Sequence, residues 1–148
     1  MTLSSSMDIS ANGLTTQSER MKIHANNVAN VNTPYYVRKI PVLAENFQTS
    51  FQDVISNLRK GVINTGISYG PGGVTMAGVI GDPTPGKRIY EPGHPQADKD
   101  GYVTMSNVNV MTDMADAMQT SRLYEANLAV VNIVKSMATR AIDIGRGQ

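Results

Sequence analysis

Two histidines, His24 and His94, and the acidic pair Asp98 and Asp100 are the side chains of this sequence whose types and spacing suggest metal or acid–base chemistry. His94 lies in Pro92-Gly93-His94-Pro95, a stiff extended or turn segment just ahead of the two carboxylates. A His94, Asp98 and Asp100 set could hold a divalent cation and make a small metal-dependent enzyme. The oxygen-ligand spacing of an EF-hand fails directly after Asp98, however, and turn residues with a solvated imidazole are the plainer reading. His24 stands apart, flanking a helical seam. Gly70-Pro71-Gly72-Gly73 lacks the Lys-Ser/Thr of a P-loop and the third spaced glycine that opens a dinucleotide-binding helix, so it reads as a loop. No Gly-x-Ser-x-Gly elbow is present. Cysteine is absent, which removes thiolate nucleophiles, thiolate metal sites and disulfides together. Met111, Met114 and Met118 fit the start of an apolar helical face better than a soft-metal surface. Neither an enzyme nor a cofactor or metal site is expected. Four asparagines, Asn26, Asn27, Asn30 and Asn32, crowd what should be the last turns of a helix, although Asn is a poor helix former. They mark either a fraying end or amides that bond a neighbour's backbone.

The elements that would position these residues follow from where glycine and proline fall. Residues 61–101 hold ten of the 13 glycines and five of the seven prolines, whereas 1–33 and 102–144 contain only Gly13 between them. The chain therefore reads as α+β, with two terminal helices around a small β-rich middle. Its 148 residues are enough for one domain, here discontinuous: a helical core from 1–37 and 102–148, and a β-rich unit from 38–101. A net charge of +1 offers no basic surplus for nucleic acid. No apolar run approaches the roughly 20 residues of a bilayer span, and no cleaved Sec-type signal is expected.

In the first helix, expected near 5–31, Met7, Leu14, Met21 and Val28 recur every seven residues, a seam about 100° wide that suits a narrow coiled-coil contact. Pro34 ends the run by pushing Thr33 out of the α region. The last helix, expected over 109–144, differs. Leu123, Tyr124, Leu128, Val130, Val131, Ile133, Met137, Ala138, Ile142 and Ile144 spread over an apolar arc of about 220°, twice what a helix lying on one core needs. One other long helix with a narrow seam cannot surround that arc, so assembly with further chains is expected.

Between them, Tyr36 to Leu43 alternates as a strand, with Pro41 marking an edge. Phe47, Phe51, Val54, Ile55 and Leu58, closed by Gly61, read as a short amphipathic helix over 47–60. Val74 to Ile80 and Lys87 to Tyr90 read as strands, and Ala97 to Gly101 as a turn into another.

Ala25-Asn26-Asn27-Val28-Ala29-Asn30-Val31-Asn32-Thr33, closing an N-terminal coiled-coil helix, resembles the signature of bacterial flagellar axial rod and hook proteins. Tyr90-Glu91-Pro92-Gly93-His94-Pro95-Gln96-Ala97-Asp98, Gly101-Tyr102-Val103, Asn107-Val108-Asn109-Val110 and Ser121-Arg122-Leu123-Tyr124-Glu125-Ala126-Asn127 are similar to its proximal rod subunits. The resemblance implies a non-catalytic subunit of the basal-body rod that pairs its terminal helices in a helical tube. It implies export through the flagellar type III apparatus and assembly in the periplasm with other rod subunits and copies of itself. A soluble export adaptor or chaperone is the rival reading. The expected subunit interface comprises Met7, Leu14, Met21, Asn26, Asn27, Val28 and Asn30 in the first helix. Leu123, Tyr124, Leu128, Val130, Val131, Met137 and Ile142 complete it in the last.

Overall fold

The computed structural model describes residues 3–45 and 72–147. The expected short helix over 47–60 lies outside the described residues. Helix α1 runs Leu3–Ala29, strands β1 and β2 run Lys39–Glu45 and Val74–Gly81, β3 and β4 run Arg88–Tyr90 and Tyr102–Thr104, and helix α2 runs Val110–Gly145. The α+β reading with two long terminal helices holds.

Each boundary has a local cause. Helix α1 stops before the asparagine cluster ends: the Asn30 N–H still bonds the carbonyls of Asn26 and Asn27, and Thr33 N–H then closes a turn on Asn30 O at 3.0 Å. Pro34 prevents any return to helix. Tyr35 follows with φ of 60°, a left-handed conformation uncommon for an aromatic residue, anchored by its N–H on Thr104 O at 2.9 Å and its hydroxyl on Gln96 O at 3.0 Å. At the start of α2, Asn109 Oδ1 accepts the N–H groups of Met111 and Thr112, as an N-cap does.

Strands β1 and β2 form a two-stranded sheet. The Asp82 N–H donates to Arg38 O at 2.8 Å, which sets the start of one strand beside the end of the other and makes them antiparallel. Both strands are edges, so Pro41 is tolerated where the sequence placed it. Strands β3 and β4 pair antiparallel with Ile89 opposite Val103, and Val103 is buried to 1 % exposure. In their connection Asp98 Oδ1 accepts the N–H groups of Asp100 and Tyr102. Gly101 sits at φ 80°, where a Cβ would also meet Tyr90 at 3.0 Å and Pro92 at 3.1 Å. Glycine is required there on both counts.

The chain divides into two compact units, each taking part of both helices: Met1–Thr16, Leu43–Thr75 and Glu125–Gln148 in one, Gln17–Val42 and Met76–Tyr124 in the other. In the first, Thr16 Oγ1 lies 2.8 Å from Asn12 O and 2.9 Å from Val74 O, and Gly13 faces Asn127, whose side-chain oxygen would stand 2.9 Å from a Cβ. In the second, His24 and Asn27 face Asp113. From Gly13 with Asn127 to His24 and Asn27 with Asp113, the order of contacts on α2 runs opposite to that on α1. Among the described residues the buried side chains are largely polar. Among the described residues the buried hydrophobics are Ile23, Val103 and Val134, against Ser10, Thr16, Gln17, His24, Asn27, Asp113 and Thr120. The packed face of α1 thus lies roughly 100° around the helix from the heptad seam. Met7 is exposed and Leu14, Met21 and Val28 are half-buried along its flank.

Candidate functional site

Asn27, near the end of α1, uses every bonding position of its amide. Its oxygen accepts the Lys39 N–H at 2.9 Å and the Tyr36 hydroxyl at 3.1 Å, and its nitrogen donates to Lys39 O at 2.8 Å and Asp113 Oδ1 at 3.1 Å. Two donors and two lone pairs are all such an amide has. The expectation that these asparagines bond a backbone is met here by the chain's own backbone. Within the single chain Asn27 has no exposed surface. Asn30 caps locally, donating to Asn26 O at 2.8 Å and accepting the Thr33 hydroxyl at 3.2 Å, and Asn26 is exposed.

Asp113, in the first turn of α2, is fully buried and is the centre of this junction. Its Oδ2 accepts Arg38 Nε at 2.8 Å, and its Oδ1 lies 3.3 Å from Arg38 Nη2 and 2.9 Å from His24 Nδ1. Burial alone would favour the neutral acid, but the hydrogen bonds from Arg38, His24 and Asn27 and the guanidinium charge outweigh it and hold the carboxyl below the usual range. An ionised Asp113 only accepts, so His24 Nδ1 carries the proton. The hydrogen bond to Asp113 raises Arg38 against the cost of its own burial. Burial and then the Asp113 charge raise the Tyr36 phenol. Asn107 completes the frame, accepting the Arg38 N–H at 2.7 Å and donating to the carbonyls of Asp82 and Thr84.

The ligand atoms of His24, Asp113 and Asp116 lie within 4.8 Å of one another, close enough for a metal ion. Arg38 already supplies the cation, with Nη2 also 3.5 Å from Asp116 Oδ2. Two of the three groups that the sequence offered as metal ligands, His94 and Asp98, do other work. His94 Nδ1 accepts the Gln96 N–H, and Asp98 is taken up by Asp100, Tyr102 and the Arg88 guanidinium at 2.6 Å. A groove of about 400 Å³ is lined by Ile23, Asn26, Val37, Lys39, Val79, Ile80 and Gly81, in which Lys39 is the sole ionisable group. It contains no acid–base pair.

The second feature is the outside of α2. Leu123, Tyr124, Leu128, Val130, Ile133, Met137, Ile142 and Ile144 are all exposed, as are Met111, Met114 and Met118 in its first turns. Of the residues expected at an interface on this helix, only Val131 is half-buried. The packed strip between them is small or polar: Asp113, Ala117, Thr120, Asn127, Val131, Val134 and Ala138, at alternating intervals of mostly three and four. The heptad spacing of Asp113, Thr120 and Asn127 was a readable sign of this strip. The Asp113 network was missed because its partners are 75 to 89 residues away in sequence.

Residues 7–36 match the family described as flagella basal body rod protein, and residues 99–144 match the C-terminal family of flagellar basal body rod FlgEFG proteins. Over 146 residues, 99 % of this chain and 100 % of the relative, the sequence is 38 % identical to the flagellar basal-body rod protein FlgC of Escherichia coli O6:H1. It is 36 % identical to that of Salmonella typhimurium with the same coverage. It is 31 % identical to that of Bacillus subtilis, again over 99 % of the chain and the whole relative.

Proposed function

The chain belongs to the FlgC family of flagellar basal-body rod proteins, and from that premise we propose that its uncovered apolar helix face joins neighbouring subunits into the rod's helical shaft. It is a structural subunit of the basal-body rod and assembles with other rod subunits. In this reading the segments 1–37 and 102–148 form the axial core and 38–101 the outer β-rich unit. The interface draws on Met7, Leu14, Met21, Val28, Asn26 and Asn30 of α1. On α2 it draws on Leu123, Tyr124, Leu128, Val130, Val131, Met137 and Ile142. Contacts repeated along a shaft would transmit torque through packing, with no catalytic step. Passage through the flagellar type III export apparatus to the periplasm is proposed from the family alone. Among the described residues no helix is long and apolar enough to cross a membrane.

The observation that carries the interface is the exposure of eleven large apolar side chains on α2 alone. A contiguous apolar surface of that kind on one helix marks a contact face. A soluble adaptor is not favoured, since the curated relatives are rod proteins throughout. The test is to express full-length Val130→Asp and Ile142→Asp chains in place of the normal one. Both are expected to melt like the unaltered protein and to be missing from detergent-extracted basal bodies. Incorporation of both at normal levels overturns the reading.

A further inference from the structure

The apolar pattern of this chain does not by itself choose how α1 and α2 are aligned. On the packed face of α1 Ser10, Gln17 and His24 recur every seven residues and Ile23 is the one buried apolar side chain, and Ala117, Thr120, Val131, Val134 and Ala138 of the packed α2 strip are all small and spaced by threes, fours and multiples of seven. An antiparallel pair slipped by one heptad sets like against like, so apolar burial separates the two alignments weakly.

Charge does not repeat in this way. Asp113 is the one acidic side chain buried on either helix among the described residues, and its partners come from two other segments, His24 and Asn27 in α1 and Arg38 before β1. We infer that Asp113 is the register key of the helix pair: its carboxylate is satisfied only where His24, Asn27 and Arg38 meet it together, so slipped pairings are rejected. A slip in one direction carries Asp113 opposite Pro34, beyond the end of α1. A slip in the other carries it opposite Arg20, away from an Arg38 that cannot follow, because Asn27 holds both the N–H and the carbonyl of Lys39. A buried charge deprived of its partners is heavily penalised, whereas replacing a whole buried polar group by apolar residues is often tolerated. Selection of register at some cost in stability is the best-attested use of such groups. The register fixes which apolar flanks face outward. That consequence rests on the proposed rod assembly, whereas the register is a property of the single chain and is tested there.

The sequence has no cysteine, so engineered pairs report alignment in the full-length protein. Gly13→Cys with Asn127→Cys reads the native pairing, the shorter side chain at 127 making room for the new one at 13. Gly13→Cys with Val134→Cys reads the one-heptad slip. Without other changes, the first pair is expected to oxidise and the second to stay reduced. Asp113→Asn, and separately His24→Leu/Arg38→Leu/Asp113→Leu, are each expected to raise the slipped-to-native disulfide ratio at least about tenfold while helical circular dichroism is kept. An unchanged ratio in both backgrounds overturns the inference. Loss of helix content in the triple variant overturns it equally, since a cluster needed merely to fold the chain is not a selector.

Discussion

Around Asp113 the packed face of α2 meets His24, Asn27 and Arg38 through directed hydrogen bonds. Beyond Glu125 the same helix presents Leu128, Val130, Ile133, Met137, Ile142 and Ile144 to the outside and has one fully packed apolar residue, Val134. The two regions divide the labour of a subunit that assembles with other rod subunits. The polar network closes within the chain, because the Asn27 amide and the Asp113 carboxylate take their hydrogen bonds from His24, Tyr36, Arg38 and Lys39 of the same chain. Apolar area is non-directional and is stabilising against whatever covers it, so it can be left for other chains. Among the described residues the buried hydrophobics are accordingly few: Ile23, Val103 and Val134.

Adjacent residues give the sharpest way to break this comparison. Ile133 is 57 % exposed and Val134 is 8 % exposed. Val134→Asp puts a carboxylate at a buried position and is expected to cost on the order of 3–5 kcal/mol or unfold its unit, read by urea denaturation. Ile133→Asp is expected to leave that denaturation curve within about 0.5 kcal/mol of the original while removing the chain from basal bodies. Equal destabilisation by the two would erase the distinction between an inner and an outer face.

Arg38→Ala is next in size. It strips the buried Asp113 of its cation and should cost about 3–5 kcal/mol, lowering the urea midpoint in proportion. A loss below about 1 kcal/mol would mean that the junction is an ordinary surface ion pair. The pH dependence of stability should follow Asp113. Its folded carboxyl is held below the unfolded value of about 3.9, so the contribution is fully present above that pH and is lost as pH falls through the lower, folded value. Urea midpoints measured between about pH 6 and pH 2 should show an acid limb that Asp113→Asn shortens.

The smallest effect concerns Gly13. Alanine there gains about 1 kcal/mol of helix propensity, but its Cβ meets the Asn127 side chain at 2.9 Å. Gly13→Ala should therefore destabilise slightly in the normal chain and stabilise by about 1 kcal/mol when Asn127→Ala is also present. Additive effects across that cycle would show that the close helix approach carries no energy.

Much of this fold was legible in the residues. Pro34 and the glycine distribution bounded both helices, Asp98 and Gly101 marked the turn before β4, Pro41 marked an edge strand, and the width of the α2 arc anticipated its exposed flank. The packed face of α1 was not legible. Periodicity locates apolar residues and assumes that they point inward, whereas here Gln17, His24 and Asn27 point inward and Met7 points out. Hydrogen-bond partners leave no periodic trace either, so nothing at Arg38 announced Asp113, 75 residues later. His24 and Asn27, three apart on one helix face, were the visible half of the pair. The amide of Asn27 does bond a backbone, that of Lys39 in its own chain.

The central claim is that the isolated subunit is held by its polar junction and that the far half of α2 is held by neighbours. Residue-resolved amide hydrogen exchange on the full-length protein, alone and in purified rods, tests it most directly. In the isolated chain, amides of Ile23–Val28 and Asp113–Thr120 should be protected and those of Met137–Gly145 should exchange freely, becoming protected only in rods. Strong protection through Gly145 in the isolated chain, equal to that at the junction, would contradict the account.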